Sequence, residues 1–159
     1  MKNDGKAALA NLTASAEREF GAFLARQTPE AYEDAVALIE ECRAAGRRVH
    51  VTGIGKPGHL AGYGASLLSS TGTPSYFLHG TEAVHGSCGQ LEEGDALLLA
   101  HVDEEGGPLN RAPRNSVLAE MFVLQALSAI LQADVAQTPA QYVRRHPGGA
   151  LGKIRDNER

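Results

Sequence analysis

The stretch RVHVTGIGKPGHLAG, residues 48–62, constrains the fold more than any other part of the chain. An apolar, β-branched run enters a cluster of glycines and leaves as a segment suited to a helix. Glycines after a strand let the backbone turn sharply and approach a ligand, and the helix that follows aims unpaired N–H groups at it. The same change of period recurs downstream. Residues 57–70 read as a helix of small residues, Ser75–His79 as a second strand, and 96–100 as a third, entered by the turn Glu93-Gly94-Asp95. Strand, helix, strand in this rhythm predicts a parallel sheet with covered faces, an α/β fold.

Two helices lead into it. Leu9, Leu12, Ala16, Phe20, Phe23 and Leu24 recur at helical spacing over 6–26. Thr28-Pro29-Glu30 then reads as an N-cap followed by proline at the first helical position, opening a helix that stops at Gly46. Residues 116–131 are apolar around most of their circumference, as in a helix buried on more than one side. Thr138-Pro139 opens a short last helix. The chain divides into a helical lead-in, 1–46, and a core, 47–153, within a single domain of 159 residues.

Charge and composition exclude several function classes. A net charge of −4 gives no overall attraction to nucleic acid or to an anionic membrane, so any anion site must be local. Cys42 and Cys88 are too few for a disulfide framework or a zinc site. No stretch is read as a membrane span, and the N-terminal residues carry acids without an apolar signal region. A soluble, cytoplasmic protein is expected.

Gly53, Gly55 and Gly58 spell G-x-G-x-x-G, which alone is weak evidence for a dinucleotide. Glu82 lies near the spacing at which a dinucleotide fold places its ribose acid, but only after the turn His79-Gly80-Thr81. Lys56 inside the loop weighs the other way, because a point cation there suits phosphate or a developing oxyanion. The plainer alternative is a tight turn with a solvated lysine. His79, Glu82 and His85 are spaced like no standard zinc motif.

Three separated motifs carry a resemblance. VTGIGKPGHLAGYGASLLSSTGTPSYFLHGTEAVHG resembles the opening of the sugar isomerase (SIS) domain in its arabinose 5-phosphate isomerase-like branch, which reads G-x-G-K-S-G-H, then S-T-G-T-P, then E-A-x-H-G. EEGGPLNRAP, 104–113, is similar to E-A-C-P-L-G-L-A-P, and RRHPGGALGK, 144–153, to S-H-P-G-G-A-L-G. The resemblance implies a three-layer αβα sandwich with a parallel sheet. It also implies aldose–ketose isomerisation of a sugar phosphate through an enediol, without metal or cofactor, in a homodimer or homotetramer whose sites borrow residues from neighbouring subunits.

Matched residue by residue, it makes Lys56, Glu105 and His146 the catalytic candidates: loop cation, base, and ring-opening acid/base. Gly53, Gly55, Lys56, Gly58, His59 and His85 become the substrate-binding candidates. Each has a structural alternative: Glu105 in a solvated acidic run, His85 capping a turn.

The chain also departs from the pattern. Pro57 stands where the family has serine. APRNS replaces A-P-T-S-S, and the S-N-S-G-E-T phosphate loop is missing between Ala100 and His101 together with roughly 40 residues on usual element lengths. The sheet is therefore expected to be short. These departures keep two other readings open, a non-catalytic phosphosugar-binding module and a dinucleotide-binding domain.

Overall fold

A computed structural model describes residues 3–96, 114–146, 148 and 150–158. Helices α1 (Asn3–Ala25) and α2 (Glu30–Ala44) precede strand β1 (Val49–Gly53). Helix α3 (Lys56–Ser70), strand β2 (Ser75–His79) and the single turn α4 (Gly80–Ala83) follow, then a 3₁₀ turn at Ser87–Gln90. Helix α5 (Asn115–Asp134) and helix α6 (Pro139–Arg145) come after it, and two short 3₁₀ turns close the chain.

β1 and β2 are parallel, with Val49 opposite Ser75 and Gly53 opposite His79. Val49 also bridges Ala96 in parallel, on the side of β1 away from β2. That bridge is the described beginning of the expected third strand; 97–100 lie outside the described residues. Because both strands run the same way, the loops after Gly53 and after His79 emerge at one edge of the sheet.

Alternation along β1 sorts its side chains by face. Val49 and Val51 join one apolar core with Tyr32, Ile39 and Cys42 of α2, Ala61, Ala65 and Leu68 of α3, and Leu124, Leu127 and Leu131 of α5. Gly64 of α3 lets α5 approach closely: a Cβ there would lie 2.7 Å from Leu124 Cδ2. Phe122 of α5 meets Phe20 and Phe23 of α1 edge to face, at 6.1 and 5.8 Å between ring centroids, a favourable geometry for aromatic pairs.

The opposite face carries a buried His50, whose Nε2 lies 3.1 Å from Asp95 Oδ2. The Asp95 carboxylate also accepts from the amides of Arg48 and Glu92, each at 3.0 Å. It ties the turn before the third strand to the head of β1. The Glu92 amide foremost, with the Arg48 amide and His50, holds the Asp95 carboxyl below its ordinary value, against the opposing effect of burial. A folded-state pKa below the unfolded one means stabilisation that is complete above the unfolded value and is lost as pH falls through the folded one. Asp95→Asn should cost about 1–3 kcal/mol near neutrality. It should also flatten the loss of stability that the parent shows on acidification. Urea melts between pH 7 and 3 test this, and parallel pH profiles for parent and variant would refute it.

Two expectations are corrected. Thr28 makes no side-chain cap: α2 begins behind Pro29 with no capping side chain, whereas Thr138 forms a full capping box with Gln141. The 116–131 helix extends over Asn115–Asp134, long and apolar enough by length and composition to cross a membrane, where no such segment was expected. Leu124, Leu127 and Leu131 face the helices and strand described above, while 28% of the helix's apolar stretch is buried.

Candidate functional site

The glycine loop is built backbone against backbone. β1 ends at Gly53 and α3 begins at Lys56, with Gly55 between them at φ 66°, ψ −132°, a conformation that glycine alone adopts without strain. A Cβ on Gly53 would sit 2.7 Å from the Pro57 carbonyl carbon and 2.9 Å from the Gly58 nitrogen; one on Gly58 would meet the Gly53 oxygen at 3.0 Å. Each glycine of the motif therefore has a separate steric reason.

The first turn of α3 is a weaker anion cradle than the motif suggests. Pro57 has no N–H, and the Gly58 N–H is donated back to the Gly55 carbonyl at 3.1 Å. The compensating charge is Lys56, exposed at the loop, with His59 exposed three residues on along the same face of the helix. If the loop holds a sugar phosphate, Lys56→Ala should weaken its binding about tenfold or more, the worth of one charge-assisted contact. The melting temperature should hold, since an exposed side chain contributes little to folding. Isothermal titration beside a thermal melt reads both; unchanged affinity would leave Lys56 as solvated surface.

The loop after β2 lies against this one. Gly80 packs on Ile54 and Gly53, where a Cβ would lie 2.7 Å from Ile54 Cγ1 and 3.3 Å from the Gly53 oxygen. His85 follows in the same loop, exposed, its amide bonded to the Glu82 carbonyl at 2.9 Å. The residue that caps the α4 turn is His79, whose Nδ1 accepts the Glu82 amide at 3.4 Å. Among the described residues no cluster of histidine, cysteine, aspartate and glutamate could hold a metal ion.

A mostly apolar cavity of about 330 Å³ opens beside the loop, lined by Val51, Gly53, Ile54, Pro57 and Leu60, with Glu120 of α5 the one ionisable side chain on its wall among the described residues. The sequence reading did not single out Glu120; an acid inside the apolar run 116–131 was the available signal.

His146 is elsewhere. It ends α6, which sits beyond the far end of α3, where Arg145 of its last turn lies beside Gly72. Lys56 opens α3, and fifteen residues at 1.5 Å each place about 22 Å of helix between the two ends. A second cavity, about 380 Å³, lies at that far end among Gln132, Tyr142, Lys153 and Arg155, away from the glycine loop. One chain thus places Lys56 and His59 on the first turn of α3, with His85 in the adjacent loop after β2, and holds His146 beyond the other end of α3. Glu105 lies outside the described residues.

No family model matches the chain. It is 29% identical over 168 residues to arabinose 5-phosphate isomerase KdsD of Francisella tularensis, covering 78% of this chain and 51% of the relative. To the enzyme of the same name from Pseudomonas aeruginosa it is 30% identical over 165 residues, covering 76% and 51%. Among solved structures, E. coli CFT073 c3406 in complex with arabinose 5-phosphate superposes with a TM-score of 0.73 at 23% identity, over 92% of this chain and 100% of that one. A candidate phosphosugar isomerase of Bacteroides fragilis gives a TM-score of 0.71 at 25% identity, over 92% and 97%. The chain is similar in sequence to arabinose 5-phosphate isomerases and shares the fold of solved sugar-phosphate isomerases.

The chain spans about half the length of the curated relatives it matches. Its fold is a shortened form of the SIS αβα sandwich. The alignments agree on the shortening. The 168 positions matched to the Francisella protein use 78% of this chain, about 124 residues, so about 44 positions of the relative have no counterpart here. That number is of the order of the shortening expected from the sequence.

Proposed function

We propose that this chain is a SIS-domain sugar-phosphate aldose–ketose isomerase of the arabinose 5-phosphate type, acting through an enediol. The observation that carries the reading is the loop from Gly53 to Gly58, whose backbone packing admits only glycine and which leaves Lys56 as an exposed cation with His59 three residues on along the same helix. Relatives named arabinose 5-phosphate isomerase, and a superposable structure with arabinose 5-phosphate bound, supply the substrate class.

In this mechanism Lys56 holds the phosphate or the developing oxyanion. Glu105 removes the proton next to the carbonyl, and His146 opens the ring and returns a proton. Gly53, Gly55, Gly58, His59 and His85 line the substrate. No metal or cofactor takes part.

The separation of Lys56 from His146 along α3 supports a homo-oligomer in which His146 reaches the glycine loop of a second copy. The exposed aromatics Tyr76 and Phe77 on β2, and exposed Leu118 on α5, support the same assembly. Working on a free sugar phosphate, such an enzyme belongs in the cytoplasm.

Proton NMR of arabinose 5-phosphate in D₂O with the full chain tests the function. Enzyme-dependent exchange of the C2 hydrogen is expected. Binding without exchange would select the non-catalytic phosphosugar module, the reading that Pro57 and the absent phosphate loop favour.

A further inference from the structure

The ring of His146 is held twice. Its Nδ1 lies 2.9 Å from the Tyr142 carbonyl oxygen, and its face stacks on the Tyr142 phenol ring with centroids 4.1 Å apart and planes 24° from parallel. Both contacts follow from how α6 ends. The last carbonyls of a helix have no intrahelical donor. Here the His146 amide, which would bond Tyr142 in a continued α-helix, is given to Val143 at 2.9 Å instead. The Tyr142 carbonyl is left open, and the histidine side chain caps it.

A carbonyl oxygen can only accept, so this bond requires the hydrogen on Nδ1. In a neutral imidazole the other nitrogen, Nε2, is then bare. We infer that Tyr142 is a positioning residue for His146: its carbonyl and ring together hold the imidazole in the Nδ1–H tautomer and present Nε2 as the atom that takes up and returns the proton. The inference deepens the isomerase reading and rests on it for the role of that proton, but the tautomer itself is a property of the free protein.

The test uses the full chain labelled with ¹⁵N-histidine at pH 8, where the six histidines are separated by comparing parent with His146→Gln. A protonated Nδ1 and a bare Nε2 at His146 are expected in the parent and in Tyr142→Phe, which keeps the ring. Tyr142→Leu keeps the carbonyl but removes the stacking, which is worth enough to account for an effect of about 3- to 10-fold. It should raise the Nε2–H population and lower kcat by that factor at unchanged KM. A parent dominated by the Nε2–H form would overturn the inference. So would a Tyr142→Leu variant with the parent's tautomer and kcat. The Nδ1–H form in a protein whose His146→Gln variant turns over normally would overturn the catalytic role of His146 and leave its positioning intact.

Discussion

Under the proposed isomerase function, replacing His146 by glutamine is expected to lower turnover of arabinose 5-phosphate by about 10²–10⁴-fold, the usual worth of a positioned acid/base. Affinity should stay within a few-fold of the parent. Glutamine approximates the shape of the imidazole and can hydrogen-bond, but it cannot exchange a proton near neutrality. His146 is partly buried at the end of a two-turn helix and belongs to no core cluster, so the variant should fold. The geometry adds a second arm. If His146 of one copy serves the glycine loop of another, inactive Lys56→Ala and His146→Gln chains should complement when mixed. Random pairing in a two-fold dimer restores about one site in four. Steady-state rates on the mixture read this directly, and a mixture as inactive as its components would confine both residues to one chain's site.

Gly53→Ala should be the most damaging single-methyl change in the loop. The added carbon would come within 2.7–2.9 Å of the Pro57 and Gly58 backbone, where no side-chain rotation relieves the contact. Either β1 and α3 separate or the turn rebuilds, and overpacking of this kind costs about 1–3 kcal/mol or more. Sugar-phosphate binding should disappear with the loop geometry. Gly62→Ala is the control, because a Cβ there meets nothing within 4 Å and alanine favours a helix by about 0.8–1 kcal/mol over glycine. Its melting temperature should rise while binding persists. A Gly53→Ala protein that binds like the parent would remove the steric argument for the motif.

Much of this architecture was legible in the chain because its elements are sharply punctuated. β2 matches its expected bounds, Ser75–His79, since Gly72-Thr73-Pro74 precedes it and Gly80 follows. α5 ran past its expected ends because its terminal residues, Asn115 and Gln132-Ala133-Asp134, are polar or small and break the apolar pattern without breaking the helix. The two Thr-Pro pairs show how far a local signal reaches. Thr138 caps because Gln141 stands three residues on and reciprocates; Thr28 has Ala31 in that place.

The α4 turn and the Ser87–Gln90 turn were not expected, being too short to show a period. The His50–Asp95 contact joins residues 45 positions apart, and only a histidine inside an otherwise apolar strand hinted at it. For the site, the glycine loop could be read from spacing alone. The distance between Lys56 and His146 could not, because it depends on how α3, α5 and α6 pack.

The length of α3 also reaches into how the protein behaves on dilution. If His146 of one copy serves the glycine loop of another, as proposed above, the competent unit is a pair of chains, and specific activity becomes a property of the association equilibrium. Below the dissociation constant of that pair, turnover per chain falls in proportion to concentration. Far-ultraviolet circular dichroism of the same samples should then stay unchanged, because the core described above lies within one chain.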